Sequence, residues 1–315
     1  MKKKNNTGDN VSQDRPLKNT DYYNYVVAFI DVLGQKDAFK PLEEFGIITN
    51  ENKEELKAIL KEVHLRTTYY VKTLRYFFKH FFSLFLKDRP IPASVPADKI
   101  AIFREMRKAN LKYKSFSDCM QIFSSLKTKK YHCHAINAVY AMLMSCGGLL
   151  LSSLAEKQIV RAGIDVGIGV EIDENELYGP ALFRAYNLES EVAQYPRIIV
   201  GDTLVNYLQN LSNRIPQMEK QTREDIELCK SIADHCLKML AVDVDGYVIL
   251  DYLGEASAVG LKVAFGSALQ KNYNLAFDFI KKEYEKCVRT RDTKVSYRYY
   301  LLAQYFLKNK DHIRS

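Results

Sequence analysis

One short run limits the folds open to this chain more than any other. Tyr25-Val26-Val27-Ala28-Phe29 has the composition of a buried strand, and it ends on a lone acid, Asp31. Gly34 follows, where the backbone is free to turn away. A second segment has the same character. Lys112-Tyr113-Lys114-Ser115-Phe116 and Met120-Gln121-Ile122-Phe123 read as a hairpin around Ser117-Asp118. Two carboxylates brought to adjacent strand ends repel each other in a poorly solvated site, and a divalent cation removes that repulsion. Paired aspartates of this sort hold Mg2+ or Mn2+ against the phosphates of a nucleotide. Structural roles stay open for the same residues, with Asp31 as a helix cap and Asp118 as a turn residue.

The chain has 315 residues, enough for one large domain with additions. Its 21 Tyr and 16 Phe, with no Trp, supply an aromatic-rich core. A net charge of +8 suits a polyanionic ligand such as a nucleoside triphosphate. The excess is spread between Lys2-Lys3-Lys4 and Arg289, Arg291, Lys294 and Arg298, as on a solvated surface, so no nucleic-acid partner is expected. The six cysteines form no C-x-x-C pair, and the start of the chain is polar and charged. They read as reduced, mostly buried thiols of a cytoplasmic protein. His132-Cys133-His134 alternates too closely, without distant partners, for a zinc site. Tyr69 to Leu86 is the greasiest stretch, but it carries Lys72, Arg75, Lys79 and His80, so no membrane span is expected.

Residues 1–20 read as a disordered lead-in. Residues 21–255 form the main domain, with a helical insertion over 46–110, and 256–315 form a helical C-terminal extension. Three prolines in 89–96 mark an extended connector. His134 to Leu154 reads as a core helix, and Ile159 to Val170 as a glycine-punctuated strand. Gly179-Pro180 opens a helix, Asp202 is placed as the cap of the helix Thr203 to Leu211, and Gly246 to Leu253 reads as a further strand. That order predicts an α+β fold, helices on a largely antiparallel sheet.

At this level of detail the chain resembles the class III nucleotidyl cyclases, the adenylate and guanylate cyclase-like fold. Phe29 to Gly34 match that family's first metal motif, Phe-x-Asp-Ile/Val-x-Gly. Asp118 stands where the second metal aspartate lies in a hairpin, with Ser117 in place of the usual Gly. Lys114 falls four residues earlier, at the base-reading lysine. Arg161, Gly163, Ile164 and Gly167 match Arg-x-Gly-Ile-x-x-Gly, and Gly179, Ala185, Leu188 and Glu189 match the following helix. The resemblance spans roughly residues 23 to 255. Its helix departs from the common pattern, because Phe183 and Asn187 occupy the places of the ribose-binding asparagine and the transition-state arginine. The wording from Tyr178 to Arg197 is most similar to the bacterial antiphage pyrimidine cyclases of the Pycsar systems.

The resemblance implies two divalent ions, Mg2+ or Mn2+, held by Asp31, Asp118 and the carbonyl of Ile30. It implies a substrate site at Lys114, Glu176, Phe183 and Asn187. Arg184 or Arg197 stands in for the missing arginine, since a guanidinium meets two phosphate oxygens at once. The product is a 3′,5′-cyclic pyrimidine monophosphate, from UTP or from CTP, made by a homodimer and acting on a separate effector in antiphage defence. Lys114 and Glu176 suit either pyrimidine. A catalytically inactive cyclase-like domain that senses a nucleotide or docks a partner remains the alternative.

Overall fold

The computed structural model describes residues 21–43, 46–86, 91, 95–127, 130–173, 175–213 and 223–314, without the side chains of 36, 37, 66, 85, 86 and 173. The expected lead-in, most of the three-proline connector and the stretch Arg214 to Gln221 lie outside those residues. The chain runs β1 (Tyr23–Val32), α1 (Gln35–Glu43), α2 (Lys53–Arg66), α3 (Thr68–Leu86), α4 (Ile100–Met106), β2 (Lys112–Phe116), β3 (Cys119–Ser125), α5 (Cys133–Ala155) and β4 (Val160–Asp173). It continues through β5 (Glu176–Tyr178), α6 (Pro180–Asn187), a π-helical turn (Leu188–Val192), β6 (Ile198–Val200), α7 (Asp202–Ser212), α8 (Arg223–Lys238), β7 (Leu240–Val242) and β8 (Val248–Leu250). Four helices close it: α9 (Glu255–Phe265), α10 (Leu269–Arg289), α11 (Thr293–Lys308) and α12 (Lys310–Arg314).

The strands form one sheet in the order β2-β3-β1-β4-β6-β8-β7, with β5 paired to β4. All pairings are antiparallel except β4 with β6. That parallel pair needs a crossover, which α6 and the π-helical turn supply. The mixed α+β architecture therefore agrees with the sequence expectation.

Strand periodicity divides β1 between two cores. Val26, Ala28, Ile30 and Val32 face the large core around α5. Tyr25 and Val27 face a small one with Phe123, Leu177, Ala181 and Ala185 under α6. Burying one side chain of that size is worth roughly 1.5–3 kcal/mol. β1 thus carries weight on both faces.

Helix α5 is long and apolar enough to cross a membrane, yet 89% of its apolar window is buried inside the protein. It is a core helix, and it is more apolar than α3, the stretch singled out in the sequence. Phe78 and Phe81 of α3, and Leu269, Tyr273, Ile280 and Phe306 of the C-terminal helices, belong to the same core. The C-terminal segment is therefore packed into the main hydrophobic mass.

Two local expectations change. Asp202 does not cap α7; it lies in the first turn, Gly201 holds the cap position, and the Asp165 carboxylate from β4 accepts the Leu204 N–H at 2.9 Å. A side chain from a distant strand replaces the local cap, which no window of sequence displays. The expected strand Gly246 to Leu253 is also shorter: β8 covers Val248–Leu250, and pairs with β7 through Leu240↔Leu250.

Helix α6 lies close on β4 because β4 carries glycine beneath it. A Cβ on Gly163 would meet the Ala185 carbonyl oxygen at 2.2 Å and the Leu188 Cβ at 2.6 Å. Gly163→Ala is expected to lower the unfolding free energy by roughly 1–3 kcal/mol through overpacking. The readout is a lower urea midpoint at unchanged m-value. Gly167→Ala, whose nearest contact would be 3.1 Å, should cost less.

Candidate metal centre

Strand register assembles the site. Asp31 pairs with Cys119 on one side and with Arg161 on the other. Directly opposed residues in antiparallel strands share a face, so these three side chains form a row across β3, β1 and β4. Asp31 has the parity of Tyr25 and Val27, so the row lies on the α6 face. Asp118 joins it from the β2–β3 turn, where Phe116 pairs with Cys119 across Ser117 and Asp118. Ser117 takes φ +52°, and Asp118 is not among the positive-φ residues. Positive φ at only the first central position is the pattern of a type II′ hairpin, which normally takes glycine there.

Carboxylate oxygens of Asp31 and Asp118 and the Cys119 sulfur all lie within 4.8 Å of one another. The Cys119 thiol donates to Asp31 Oδ1 at 3.3 Å. The other oxygen of that carboxylate, Oδ2, stands 3.8 Å from Arg161 Nη2. Arg161 is held in turn by Glu189, whose Oε1 accepts from its Nε. Burial raises the Asp31 pKa, with the Asp118 charge adding to the rise; the Cys119 thiol and the Arg161 guanidinium oppose it. Burial and the Asp31 charge also hold the Cys119 thiol well above its usual range. Glu189 is pushed up to about 7, chiefly by burial, against the pull of Arg161.

The Asp31 and Asp118 carboxylates adjoin here, and the guanidinium beside Asp31 is shared with Glu189. This is the condition a divalent cation relieves, and the donor set of two carboxylates and a sulfur fits one. Ile30, named with the aspartates, has its side chain buried in the α5 core, so its backbone carbonyl is the group left to serve.

The structure also brings Lys114 and Glu176 together as an ion pair between β2 and β5. Lys114 pairs with Gln121, two residues back from the turn that carries Asp118. Phe183 and Asn187 lie one turn apart on the exposed side of α6. Arg184 and Arg197 do not join the aspartates. Arg184 Nη1 donates to the Val166 carbonyl and to Thr203 Oγ1 at 2.9 Å. Arg197 is buried, bonded to Asp243, Asp245 and the Val192 carbonyl. His132 and Cys133 offer their backbone N–H groups to Asp225.

Three residues of the cluster received no role from the sequence: Cys119, Arg161 and Glu189. A signal existed for the first, since a residue that closes a two-residue hairpin beside Asp118 is drawn into any site at the turn. Arg161 and Glu189 were visible only as motif matches.

No protein-family model matches the chain, and no curated protein matches it. Among solved structures, two chains described as a bacterial light-regulated adenylyl cyclase are similar to it. One has a TM-score of 0.35 and 12% identity, covering 68% of this chain and 58% of that one. The other has a TM-score of 0.35 and 14% identity, covering 67% of this chain and 99% of that one. The chain thus spans little more than half the length of the first. At such similarity the chemistry of the site has to be read from its own side chains.

Glu189 makes stability pH-dependent with a definite sign. Its carboxyl keeps its proton to about 7 in the folded chain, against 4.5 ordinarily. Between those values the folded state binds more protons, so this group's stabilising contribution is full at the acid end and falls away as pH rises. In chelator, unfolding free energy should therefore drop more steeply with pH across that window in the natural chain than in Glu189→Gln. Equal slopes in denaturant titrations would mean that Arg161 keeps the carboxylate ionised in the fold.

Proposed function

We propose that this chain is a nucleotidyl cyclase that converts a pyrimidine nucleoside triphosphate, UTP or CTP, into its 3′,5′-cyclic monophosphate and pyrophosphate. The observation that carries the reading is the meeting of Asp31 and Asp118 within 4.8 Å at the end of the central strand. The Phe29–Gly34 motif and the Lys114 position support it from the sequence.

The reaction is an attack of the ribose 3′-oxygen on the α-phosphorus. The new P–O bond forms as the bond to the bridging oxygen breaks. The hydroxyl proton is lost, and pyrophosphate leaves with the electron pair. Positioning and electrostatics supply most of the acceleration in such a transfer. Asp31, Asp118 and the Ile30 carbonyl would hold Mg2+ or Mn2+, two ions in the full site. A metal held there would lower the pKa of the 3′-hydroxyl and neutralise charge on the triphosphate. Arg161 fixes the rotation of the Asp31 carboxylate, and Glu189 fixes Arg161. Lys114 donates to a base carbonyl, and Glu176 accepts from a base N–H; their ion pair keeps both poised at one place. Phe183 and Asn187 face outward, where a second copy of the chain would complete the site in a homodimer. The cyclic product would act as a second messenger on a separate effector in antiphage defence.

One observation favours a second reading, an inactive cyclase-like domain that senses a nucleotide. Arg184 and Arg197 are both engaged by groups of the protein itself. Incubation with each of the four labelled nucleoside triphosphates and Mn2+ or Mg2+, with products resolved by mass, decides between them. Cyclic UMP or cyclic CMP is the expected product. Cyclic AMP or cyclic GMP would keep the cyclase and overturn the pyrimidine, and no product from a folded dimer would leave the sensing domain. Asp31→Asn and Asp118→Asn should each lower turnover at least about 100-fold without loss of fold, as removal of a metal ligand does. Lys114→Ala should alter the preference among the four bases more than it alters the metal requirement.

A further inference from the structure

The candidate metal centre holds a donor that nothing in the proposed phosphoryl chemistry needs. Cys119 closes the hairpin directly after Asp118 and faces Asp31 across the strand pair. Its sulfur lies 3.3 Å from Asp31 Oδ1 and 4.0 Å from Asp118 Oδ1. Among the described residues, these three make the one group of three or more such donors close enough to share an ion. The remaining cysteines are buried and lie outside it.

We infer that Cys119 is a third protein ligand of the Asp31–Asp118 site, and that it turns the site toward borderline-soft divalent ions, Zn2+ first, over Mg2+. This rests on reading the two aspartates as metal ligands, and not on turnover of any nucleotide.

The spacing suits such an ion. With a zinc–sulfur bond of about 2.3 Å and a zinc–oxygen bond of about 2.0 Å, a tetrahedral angle sets sulfur and oxygen about 3.5 Å apart. The two sulfur–oxygen separations fall on either side of that value. Both run to Oδ1 atoms, while the Asp31 Oδ2 is turned to Arg161, so the carboxylate edge nearest the sulfur is the edge left for an ion. Three protein donors leave a fourth position for water or a phosphate oxygen, the arrangement of zinc sites that bind substrate. Mg2+ takes oxygen donors in near-octahedral geometry and gives up water reluctantly, so sulfur adds little to its binding. A thiolate adds much to the binding of Zn2+, with the thiol proton released to solvent as the metal–sulfur bond forms. Zn2+ and Mg2+ therefore compete for the same two carboxylates, and the sulfur decides the competition in favour of zinc.

The test uses the full chain after chelator treatment. Titration with Co2+, a spectroscopic stand-in for zinc, should raise a thiolate-to-cobalt charge-transfer absorption that is missing in Cys119→Ser. Calorimetry should show Zn2+ affinity falling at least about tenfold in Cys119→Ser, while Mg2+ affinity changes less than about threefold. Serine retains the hydrogen bond to Asp31, and Cys119→Ala serves as a second variant, with circular dichroism checking the fold of each. Asp31→Asn should weaken both ions together. A charge-transfer band that persists in both Cys119 variants, or a Zn2+ affinity indifferent to them, would overturn the inference. Zinc binding that needs Cys119, in a chain that cyclises no nucleotide, would uphold it while removing the cyclase reading. A cyclase whose zinc affinity ignores Cys119 would do the reverse.

Discussion

The structure depends on the pairing of β1 along both edges. Ten residues of β1 find partners on β4 and seven find partners on β3. That double ladder fixes which side chains stand beside Asp31. A slip of one residue would carry every β1 side chain to the opposite face, so Asp31 would enter the α5 core and Ile30 would take its place under α6. The buried apolar set Val26, Ala28, Ile30 and Val32 forbids the slip, because its exposure would forfeit several kcal/mol of burial. The core thus positions the site without touching it.

Helix α6 depends on the same ladder. It rests on Gly163 and Gly167 of β4, where backbone approaches backbone. Such closeness ties the helix to the sheet and directs its remaining side chains. Phe183 and Asn187 are turned outward, and Arg184 is turned to Val166 and Thr203 on the α7 side. The long helices do other work. They cover the opposite face of the sheet through α5, and α3 reaches the hairpin turn through Arg75, whose guanidinium donates to the Ser117 carbonyl at 3.3 Å.

Electrostatics gives two neighbouring positions at the same end of β4 and β6 different characters. Arg197 donates through Nη1 and Nη2 to two carboxylates and a carbonyl of the protein itself. Arg161 faces Asp31 and Glu189, and Asp31 also meets Asp118, so like charges adjoin there. A buried charge held by internal partners serves the fold; carboxylates that adjoin in a partly buried place invite a cation.

Much of this was legible along the chain. The apolar run to Asp31, the two-residue hairpin at Asp118, the glycines of β4 and the Gly179-Pro180 helix start are local patterns, set by backbone sterics and strand periodicity. They sufficed for an α+β sheet with an aspartate at each of two strand ends. Beyond the pairing of Asp31 with Asp118, what the sequence left open was the relations between distant segments. The cap of α7 by Asp165, the bonds of Arg184 to Thr203 and of Arg197 to Asp243, and the pairing of Lys114 with Glu176 join residues 19 to 62 positions apart. Arg161 and Glu189 took their places around Asp31 by the same means, and so did Cys119, whose neighbour across the strand lies 88 residues away. A side chain's partners are chosen by which strands pair and in what register, and that choice is made by the whole core at once. The sequence by itself determined the strand ends and the acids they carry; only the tertiary structure decided which groups stand around those acids.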